Sequence, residues 1–164
     1  MATDESLLLG EFARTLDDRF RLSLPAELAE QLTGPGTSEK ECLIAKERPG
    51  CLSLWNLNQW RKKLDEGVAL VQSKIAAGKL DGRLAEVQSL GRLLSTRHRQ
   101  LPLAGRGRLV IPEGFREFLG VEAGGNVMLV GAAVCVEIWN PDSWTTAIGD
   151  QMPDFRQLFD QLSS

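Results

Sequence analysis

TLDDRFRLSLP, residues 15–25, aligns without a gap with PLAGRGRLVIP, residues 102–112. A second pair follows, CLSLWNLNQW at 51–60 and CVEIWNPDSW at 135–144. Identical residues recur at matching positions: Leu16, Arg19, Arg21, Leu22 and Pro25 as Leu103, Arg106, Arg108, Leu109 and Pro112, then Cys51, Trp55, Asn56 and Trp60 as Cys135, Trp139, Asn140 and Trp144. We interpret the chain as one structural unit used twice, with a longer polar connection at 33–41 in the first copy.

The size and composition of the chain favour two halves that share one core. Each half has about 80 residues, a size at which an isolated hydrophobic core is marginal. Of the 164 residues, 43% are hydrophobic and 25% are charged, which is typical of a soluble globular protein. The apolar run at 127–136 is too short to span a membrane, and Asp4 and Glu5 stand where a signal peptide needs basic residues. We therefore predict a cytoplasmic protein that does not enter the membrane.

Hydrophobic patterning predicts a hairpin and a helix at the start of each unit. Apolar residues at 7–13 and 21–24 are expected to pair as an opening β-hairpin. Pro25 suits the first residue of the helix that follows, and Pro112 suits the same position in the second unit.

A second hairpin is predicted to end each unit. Apolar segments at 42–47 and 51–55 flank the Arg-Pro-Gly turn at 48–50. In the second unit the corresponding hairpin is expected to turn at Ala132-Ala133. The tryptophans of each unit then lie five residues apart across a strand-to-helix boundary, and we expect them to close the core rather than to stack on bases.

Amphipathic helices are predicted between the units and at the C-terminus. One apolar stripe contains Leu64, Val68, Val71 and Ile75, and Asp81 is placed to cap a second helix. Asp154 is placed to cap a last helix with an apolar stripe made of Phe155, Leu158, Phe159 and Leu162. That last helix is expected to pack on its own chain or on a neighbour.

These elements divide the chain into four parts and predict an α+β fold that is mainly β. The two units span 7–60 and 98–144, a helical hairpin at 61–97 connects them, and 145–164 forms a helical tail.

Catalytic and metal-binding patterns are missing from the sequence. The single histidine, His98, lies between two arginines, and three cysteines form neither a disulfide framework nor a metal motif. We expect Cys51 and Cys135 to be small buried thiols at equivalent strand positions. The sequence therefore predicts no enzyme activity, no cofactor, no metal and no small-molecule substrate.

Positive charge is concentrated around the second copy of the repeat. The chain has a net charge of -3, yet residues 87–112 contain five arginines and no acidic residue. This asymmetry indicates an anion-facing surface on an otherwise acidic protein. Because Arg106 and Arg108 recur where Asp17 and Asp18 of the first copy are replaced by Ala and Gly, an external anion explains them better than surface ion pairs do.

Three segments resemble the MraZ family of bacterial transcriptional regulators: LLGEFARTLDDRFRLSLPAEL at 8–28, GRLLSTRHRQLPLAGRGRLVIPEGFREFLGV at 91–121 and VMLVGAAVCVEIWNPDSW at 127–144. The resemblance implies two tandem swapped-hairpin units of the SpoVT-AbrB type in a shared pseudo-two-fold β-barrel. It also implies a ring-shaped homo-oligomer that is cytoplasmic and associated with the nucleoid. Such an oligomer is expected to bind direct repeats in double-stranded DNA upstream of its own operon, where it usually represses the division and cell-wall genes.

The family signature is Asp-x-x-x-Arg in each unit, with glycine before the arginine. The first copy has Asp17 and Arg21 but Phe20 at the glycine position, and the second has Gly107 and Arg108 but Ala104 at the aspartate position. The resemblance places these residues in the orienting turns, and the predicted DNA contacts are Arg21, Arg108, Arg19, Arg106, Arg14 and Arg99. We hypothesise sequence-specific DNA binding; the alternative is an antitoxin-like or assembly module that has lost DNA recognition.

Overall fold

The computed structural model describes residues 7–33 and 40–164, so most of the polar connection at 33–41 and the acidic N-terminal residues lie outside the described residues. Its strands are β1 Leu8–Thr15, β2 Arg21–Ser23, β3 Glu41–Arg48, β4 Cys51–Asn56, β5 His98–Pro102, β6 Arg108–Val110, β7 Asn126–Ala133 and β8 Val136–Trp139. Its helices are α1 Ala26–Thr33, α2 Leu57–Ala76, α3 Leu84–Thr96, α4 Phe115–Leu119, α5 Pro141–Gln151 and α6 Phe155–Ser163. Short 3-10 segments lie at Gly105–Gly107 and Met152–Asp154.

The two repeats exchange strands. A six-stranded sheet has the order β1-β7-β8-β4-β3-β5, and β2 pairs with β6 in a separate two-stranded sheet. The first strand of each repeat therefore pairs with the third strand of the other repeat, and all the pairings within these two sheets are antiparallel. The prediction of an α+β fold with a β core is confirmed, and the two halves share one set of sheets.

The predicted opening hairpin is wrong, because β1 and β2 do not pair with each other. The N–H of Leu16 donates to the carbonyl of Gly125 at 2.9 Å, which keeps the end of β1 on the loop before β7. Beyond the turn, Leu22 of β2 lies opposite Leu109 of β6, and both leucines are almost fully buried. Burial of this leucine pair at the contact between the repeats is the physical reason for the different pairing.

The core is built from equivalent residues of the two repeats. Leu16, Leu22, Leu24, Leu28 and Leu32 are buried together with their counterparts Leu103, Leu109, Ile111, Phe115 and Leu119. The strands of the central sheet add Ile44, Leu52, Leu54, Leu129 and Ile138, none of which is exposed to solvent. One hydrophobic cluster thus includes residues from both repeats, as expected for halves that are each too small to fold alone.

The second hairpin of each unit is confirmed, with a shift in one turn. In the first unit β3 and β4 pair around Pro49 and Gly50, where Gly50 has φ +87°. In the second unit the turn follows Ala133, which has φ +69°, and the N–H of Ala132 donates to the carbonyl of Cys135 at 2.9 Å. The turn therefore lies one or two residues later than predicted.

The helix starts differ slightly from the predicted positions. Helix α1 begins at Ala26, and Pro25 contributes its carbonyl to the first helical hydrogen bond, from the N–H of Ala29. Pro112 begins a turn whose carbonyl accepts the N–H groups of Phe115 and Arg116, so α4 starts three residues later than predicted.

Two helices connect the repeats, as predicted. Helix α2 is capped by Asn56, whose side-chain oxygen accepts the N–H of Gln59 at 3.1 Å. The predicted cap of α3 at Asp81 is wrong: Arg83 occupies the cap position and makes no side-chain capping bond, since Asp81 lies within the preceding turn. No residue of α2 or α3 is buried, so these helices extend away from the core.

The C-terminal part is helical. Asn140 caps α5 by accepting the N–H of Asp142 at 3.0 Å, and Asp154 stands at the predicted cap position of α6 without a side-chain capping bond. None of the helices in the described ranges is sufficiently long and apolar to cross a lipid bilayer.

Close contact between β1 and β7 requires a glycine at position 131. A Cβ added there would lie 2.5 Å from the backbone nitrogen of Leu9. We expect Gly131→Ala to lower the free energy of unfolding by about 1–3 kcal/mol, because the strands must separate locally. Urea denaturation measures the effect, with Gly149→Ala as the control, since a Cβ at that position meets nothing within 4 Å. Equal stability of the two variants would contradict the strand exchange.

Candidate nucleic-acid interface

The two-stranded sheet presents arginines from both repeats on one exposed face. In the register of β2 and β6, Arg21 lies opposite Val110 and Ser23 lies opposite Arg108. These four side chains are exposed, whereas Leu22 and Leu109 point into the core. Arg21 and Arg108 are diagonal neighbours, at a separation of about 7–8 Å.

The first turn, residues 17–21, is organised by the carboxylate of Asp17. Its Oδ1 accepts the backbone N–H groups of Arg19 and Arg21 at 2.8 and 2.9 Å, and its Oδ2 accepts the Nε–H of Arg21 at 2.5 Å. Backbone bonds close the same turn, from the N–H of Asp17 to the carbonyl of Arg21 and from the N–H of Phe20 to the carbonyl of Asp17. Asp17 therefore holds both the turn and the direction of the Arg21 side chain.

The second turn, residues 104–108, reaches a similar shape through its backbone alone. The N–H of Ala104 donates to the carbonyl of Arg108 at 2.8 Å, and the N–H of Gly107 donates to the carbonyl of Ala104 at 3.1 Å. These two bonds match those of the first turn. In the absence of a carboxylate at position 104, the left-handed region is occupied by both Arg106 (φ +67°) and Gly107 (φ +72°).

Phe20 adopts the left-handed conformation that its counterpart Gly107 has, with φ +58°. Its ring packs on the core, and the guanidinium carbon of Arg116 lies 4.3 Å from the ring centroid. The Nε–H of Arg116 also donates to the carbonyl of Ile111 at 2.5 Å, which holds the guanidinium above the ring. These contacts stabilise a backbone conformation that is unfavourable for a residue with a Cβ.

Each turn packs against the helix of the other repeat. Arg116 of α4 covers Phe20, and Ala29 of α1, at the position equivalent to Arg116, faces Gly107. A Cβ added to Gly107 would lie 3.0 Å from the Cβ of Ala29 and 3.1 Å from the carbonyl oxygen of Leu24. The large pair, Phe20 and Arg116, and the small pair, Gly107 and Ala29, thus occupy equivalent places.

Three of the predicted arginines have no side-chain partner within the described part of the chain. Arg19 and Arg106 lie in the two turns and Arg108 lies on β6, all exposed, and no described carboxylate forms an ion pair with them. Arg21 pairs with Asp17, and both side chains remain more than a third exposed. The guanidinium groups of all four arginines are therefore available to an external anion.

The other predicted arginines lie apart from the two-stranded sheet. Arg14 is on β1, where it donates to the carbonyl of Ala13 and its guanidinium carbon lies 5.6 Å from the ring of Phe12. Arg99 is on β5, with its guanidinium carbon 5.5 Å from the ring of Phe115. Arg97 pairs with Glu47. The acid-free segment thus contributes two of its five arginines, Arg106 and Arg108, to the surface around β2 and β6.

Histidine and cysteine side chains lie in structural positions. His98 contacts the Trp60 ring at 4.4 Å between centroids, and desolvation, aided by Arg97, lowers its pKa. Burial raises the pKa of the Cys42 and Cys135 thiols to about 12, and all three cysteines are buried and free. In residues 7–33 and 40–164, no three His, Cys, Asp or Glu side chains are grouped to hold a metal ion.

The four tryptophans are partly or fully buried, and three of them donate a hydrogen bond through the indole N–H group. Trp139 packs on Trp144 at 5.5 Å between ring centroids, and Trp144 donates to Glu11 at 2.6 Å. Trp55 donates to Ser53 at 2.8 Å. Trp139 is buried, but the other three tryptophans are partly exposed and none of the four belongs to the hydrophobic cluster that unites the repeats, so their closing of the core stays a prediction.

Sequence reasoning missed three residues of this surface. Arg116 was not predicted, because its contact with Phe20 joins two repeats and no local pattern indicates it. Ser23 and Val110 complete the exposed face between the two arginines. The alternation around Leu22 and Leu109, read together with the repeat, is the signal that could have identified them.

The Asp17 carboxyl is expected to titrate below the ordinary range of aspartate. Its hydrogen bonds, foremost that from the N–H of Arg21, stabilise the carboxylate and lower its pKa. Because the pKa in the folded state is depressed, the contribution to stability is present above the unfolded-state pKa of about 3.9 and is lost as the pH falls through the folded-state pKa. Carboxyl NMR titration measures the folded-state pKa, with the same carboxyl in the urea-unfolded protein as the reference. A folded-state pKa of Asp17 at or above its unfolded-state value would contradict the turn geometry.

Comparisons with known proteins point to one protein family. A family model described as "MraZ protein, putative antitoxin-like" matches residues 96–162, which include the second repeat. The protein named transcriptional regulator MraZ from Syntrophomonas wolfei is 24% identical over 156 residues, covering 95% of this chain and 96% of the relative. That of Limosilactobacillus reuteri is 26% identical over 157 residues, covering 96% and 98%, and that of Thermus thermophilus is 27% identical over 139 residues, covering 85% of each chain. The chain is thus similar to MraZ proteins over nearly its whole length, and the MraZ family model matches the part that contains its second repeat.

Proposed function

We propose that this protein is a DNA-binding transcriptional regulator that contacts DNA through the exposed face of the β2–β6 sheet. The observation that carries the proposal is the placement of Arg21 and Arg108, one from each repeat, on that single face. The names of the relatives, transcriptional regulators in each case, support the same function.

The shape and chemistry of the face suit the major groove. A two-stranded β-ribbon fits into the major groove of B-DNA, where arginine donates two hydrogen bonds to guanine O6 and N7. Arg21 and Arg108 are exposed on such a ribbon, and Ser23 between them adds a hydroxyl group. We assign the base contacts to the two arginines on the strands and phosphate contacts to Arg19 and Arg106 in the adjoining turns.

The charge distribution permits this interaction in a protein whose net charge is -3. Asp17 neutralises part of the charge of Arg21, but it also holds the side chain in place, which reduces the entropy lost on binding. Arg108 and both turn arginines have no carboxylate partner among the described residues. Acidic groups farther away than about 8–10 Å are screened at moderate salt and oppose the DNA weakly. Arg14 and Arg99, which lie on other strands, are assigned peripheral backbone contacts.

Further features of the proposal concern the assembly. We infer two swapped-hairpin units of the SpoVT-AbrB type, at 7–60 and 98–144, in a shared pseudo-two-fold barrel, and the exchange of strands between the repeats supports this inference. Several chains form a ring that presents their arginine faces to consecutive direct repeats upstream of the protein's own operon, where binding represses transcription. In such a ring weak individual contacts add through effective concentration. The protein acts at the nucleoid, in the cytoplasm.

A second candidate function is a protein-interaction module related to antitoxins. The description of the matched family model includes the term antitoxin-like, and the second turn lacks the orienting carboxylate that Asp17 provides in the first. In this case the face would not bind DNA at low salt, and a protein partner would be recovered in its place.

Removing the strand arginines should weaken DNA binding. We expect Arg21→Ala and Arg108→Ala each to reduce affinity for repeats from the gene's own upstream region roughly 10-fold or more, since a bidentate arginine–guanine contact contributes about 1–3 kcal/mol. Band-shift titrations at several salt concentrations measure this. Arg19→Ala and Arg106→Ala should reduce the slope of log affinity against log salt by about 1 each.

The matched control is Arg83→Ala, which also removes one exposed arginine. Arg83 lies at the start of α3 and pairs with Glu86 at 2.6 Å, apart from the two-stranded sheet. Its removal should leave DNA affinity nearly unchanged. Unchanged binding by the Arg21→Ala, Arg108→Ala double variant would reject the assignment.

Replacement of each of the two neighbouring aspartates of the first turn by alanine should have a different effect on DNA affinity. Asp17→Ala frees the Arg21 side chain, so we expect affinity to fall roughly 2–10-fold even though a negative charge near the DNA is lost. Asp18 makes no hydrogen bond or ion pair among the described residues, so Asp18→Ala should leave affinity equal or slightly higher. The same band-shift assay compares them, and an increase in affinity for both variants would show that Asp17 does not orient Arg21.

A further inference from the structure

Helix α6 presents an unpartnered apolar stripe. Phe155, Leu158, Phe159 and Leu162 lie on one side of the helix and are 53–79% exposed, and no residue of α6 is buried. Phe155 and Phe159 contact each other at 5.7 Å between ring centroids, so they form one continuous surface. An apolar surface of this kind in a soluble protein marks an interaction site.

A matching apolar groove lies between α2 and α3. It has a volume of about 310 Å³ and is lined mainly by Leu64, Val68, Val71, Leu90 and Leu94, with Lys63 among the lining residues. The lining residues on α2 span 63–72, a length of about 14 Å at 1.5 Å per residue. Helix α6, with nine residues, has about the same length.

The two segments that contain these surfaces have opposite net charge. Residues 57–96, which contain α2 and α3, have seven Lys or Arg and four Asp or Glu, a net charge of +3. Residues 141–164, which contain α5 and α6, have four aspartates and one arginine, a net charge of -3. The C-terminal segment that contains the apolar stripe is thus acidic as a whole, although α6 itself has one arginine and one aspartate, and the hairpin that contains the groove is basic. This difference in net charge favours association of the two segments.

The strand topology separates the two surfaces within one chain. Helix α2 continues from the end of β4, and α5 follows the end of β8 after Asn140. Because β4 and β8 are antiparallel neighbours, with Cys51 opposite Trp139 and Leu54 opposite Val136, the chain leaves the sheet at opposite ends. The tail and the groove are therefore placed for a head-to-tail contact between chains, the type of contact that generates rings.

We propose that α6 of one chain docks into the α2–α3 groove of a second copy of the same protein. The aromatic pair and the two leucines fill the groove. The inference rests on the assembly proposed above and not on the arginine contacts to DNA, so the two can fail separately.

The first experiment measures the mass of purified full-length variants by light scattering. The unmodified protein is expected at a multiple of the chain mass of 18.0 kDa, and the Phe155→Ser, Phe159→Ser variant is expected at the mass of one chain. Gln157→Ser with Gln161→Ser, on the opposite side of the same helix, is the control and should retain the unmodified mass. A single-chain mass for the unmodified protein, or an unchanged mass for the phenylalanine variant, would overturn the proposal.

The second experiment mixes two assembly-defective proteins. Val68→Glu with Leu90→Glu disrupts the groove, and this variant should also have the mass of one chain. Mixed with the phenylalanine variant it should form a heterodimer of two chains, because one intact tail and one intact groove remain. Two folded variants that stay monomeric after mixing would overturn the proposal. All the changed tail residues are exposed, so the first experiment remains decisive if the groove variant fails to fold.

The Arg21→Ala, Arg108→Ala protein provides the link to DNA binding. It should keep the mass of the unmodified protein, because neither residue lies on the tail or in the groove. Loss of DNA binding with retained assembly then reports on the arginine face alone, and loss of assembly with the tail variants reports on the docking contact alone.

Discussion

The contact between Leu22 and Leu109 is the interaction on which the rest of the structure depends. These residues lie opposite each other in β2 and β6 and are almost completely buried between the two repeats. Strand alternation then requires their neighbours to point outward, so burial of one leucine pair exposes Arg21 and Arg108 on a common face. Hydrogen bonds from Leu24 to Gly107 and from Ile111 to Phe20, at 2.9 and 3.0 Å, attach both turns to the same sheet. Formation of the core therefore also places the two arginines on the exposed face.

The two turns show how a repeat can change in sequence while the backbone stays similar. The first turn relies on the carboxylate of Asp17, and the second relies on two left-handed residues that include Gly107. Behind the turns, Phe20 stacks under Arg116, whereas Gly107 faces Ala29 across a space too small for a Cβ. Because each turn packs on the helix of the other repeat, a change in one turn is compatible only with a matching change in the opposite helix.

The repeat made much of the fold predictable, because identical residues at equivalent spacing imply equivalent elements. The second hairpins and the connecting helices follow from patterns within short segments of chain. The pairing of β1 with β7 and of β2 with β6 did not follow from residue patterning, since a hairpin and an exchanged strand have the same local alternation. For the same reason, the contact of Phe20 with Arg116 was found only in three dimensions.

The pairing of β1 with β7 affects the timing of folding during synthesis. Leu8 lies opposite Ala133 and Thr15 lies opposite Asn126, so the partner of the first strand is translated late. At roughly 5–20 residues per second, an interval of roughly 6–25 s separates the two strands on the ribosome. During that interval the N-terminal strand has an unpaired edge, and Leu8, which is buried in the folded protein, lacks the strand that covers it; such features favour aggregation. The connection that makes the two repeats inseparable thus also delays completion of the sheet until the second half has been translated.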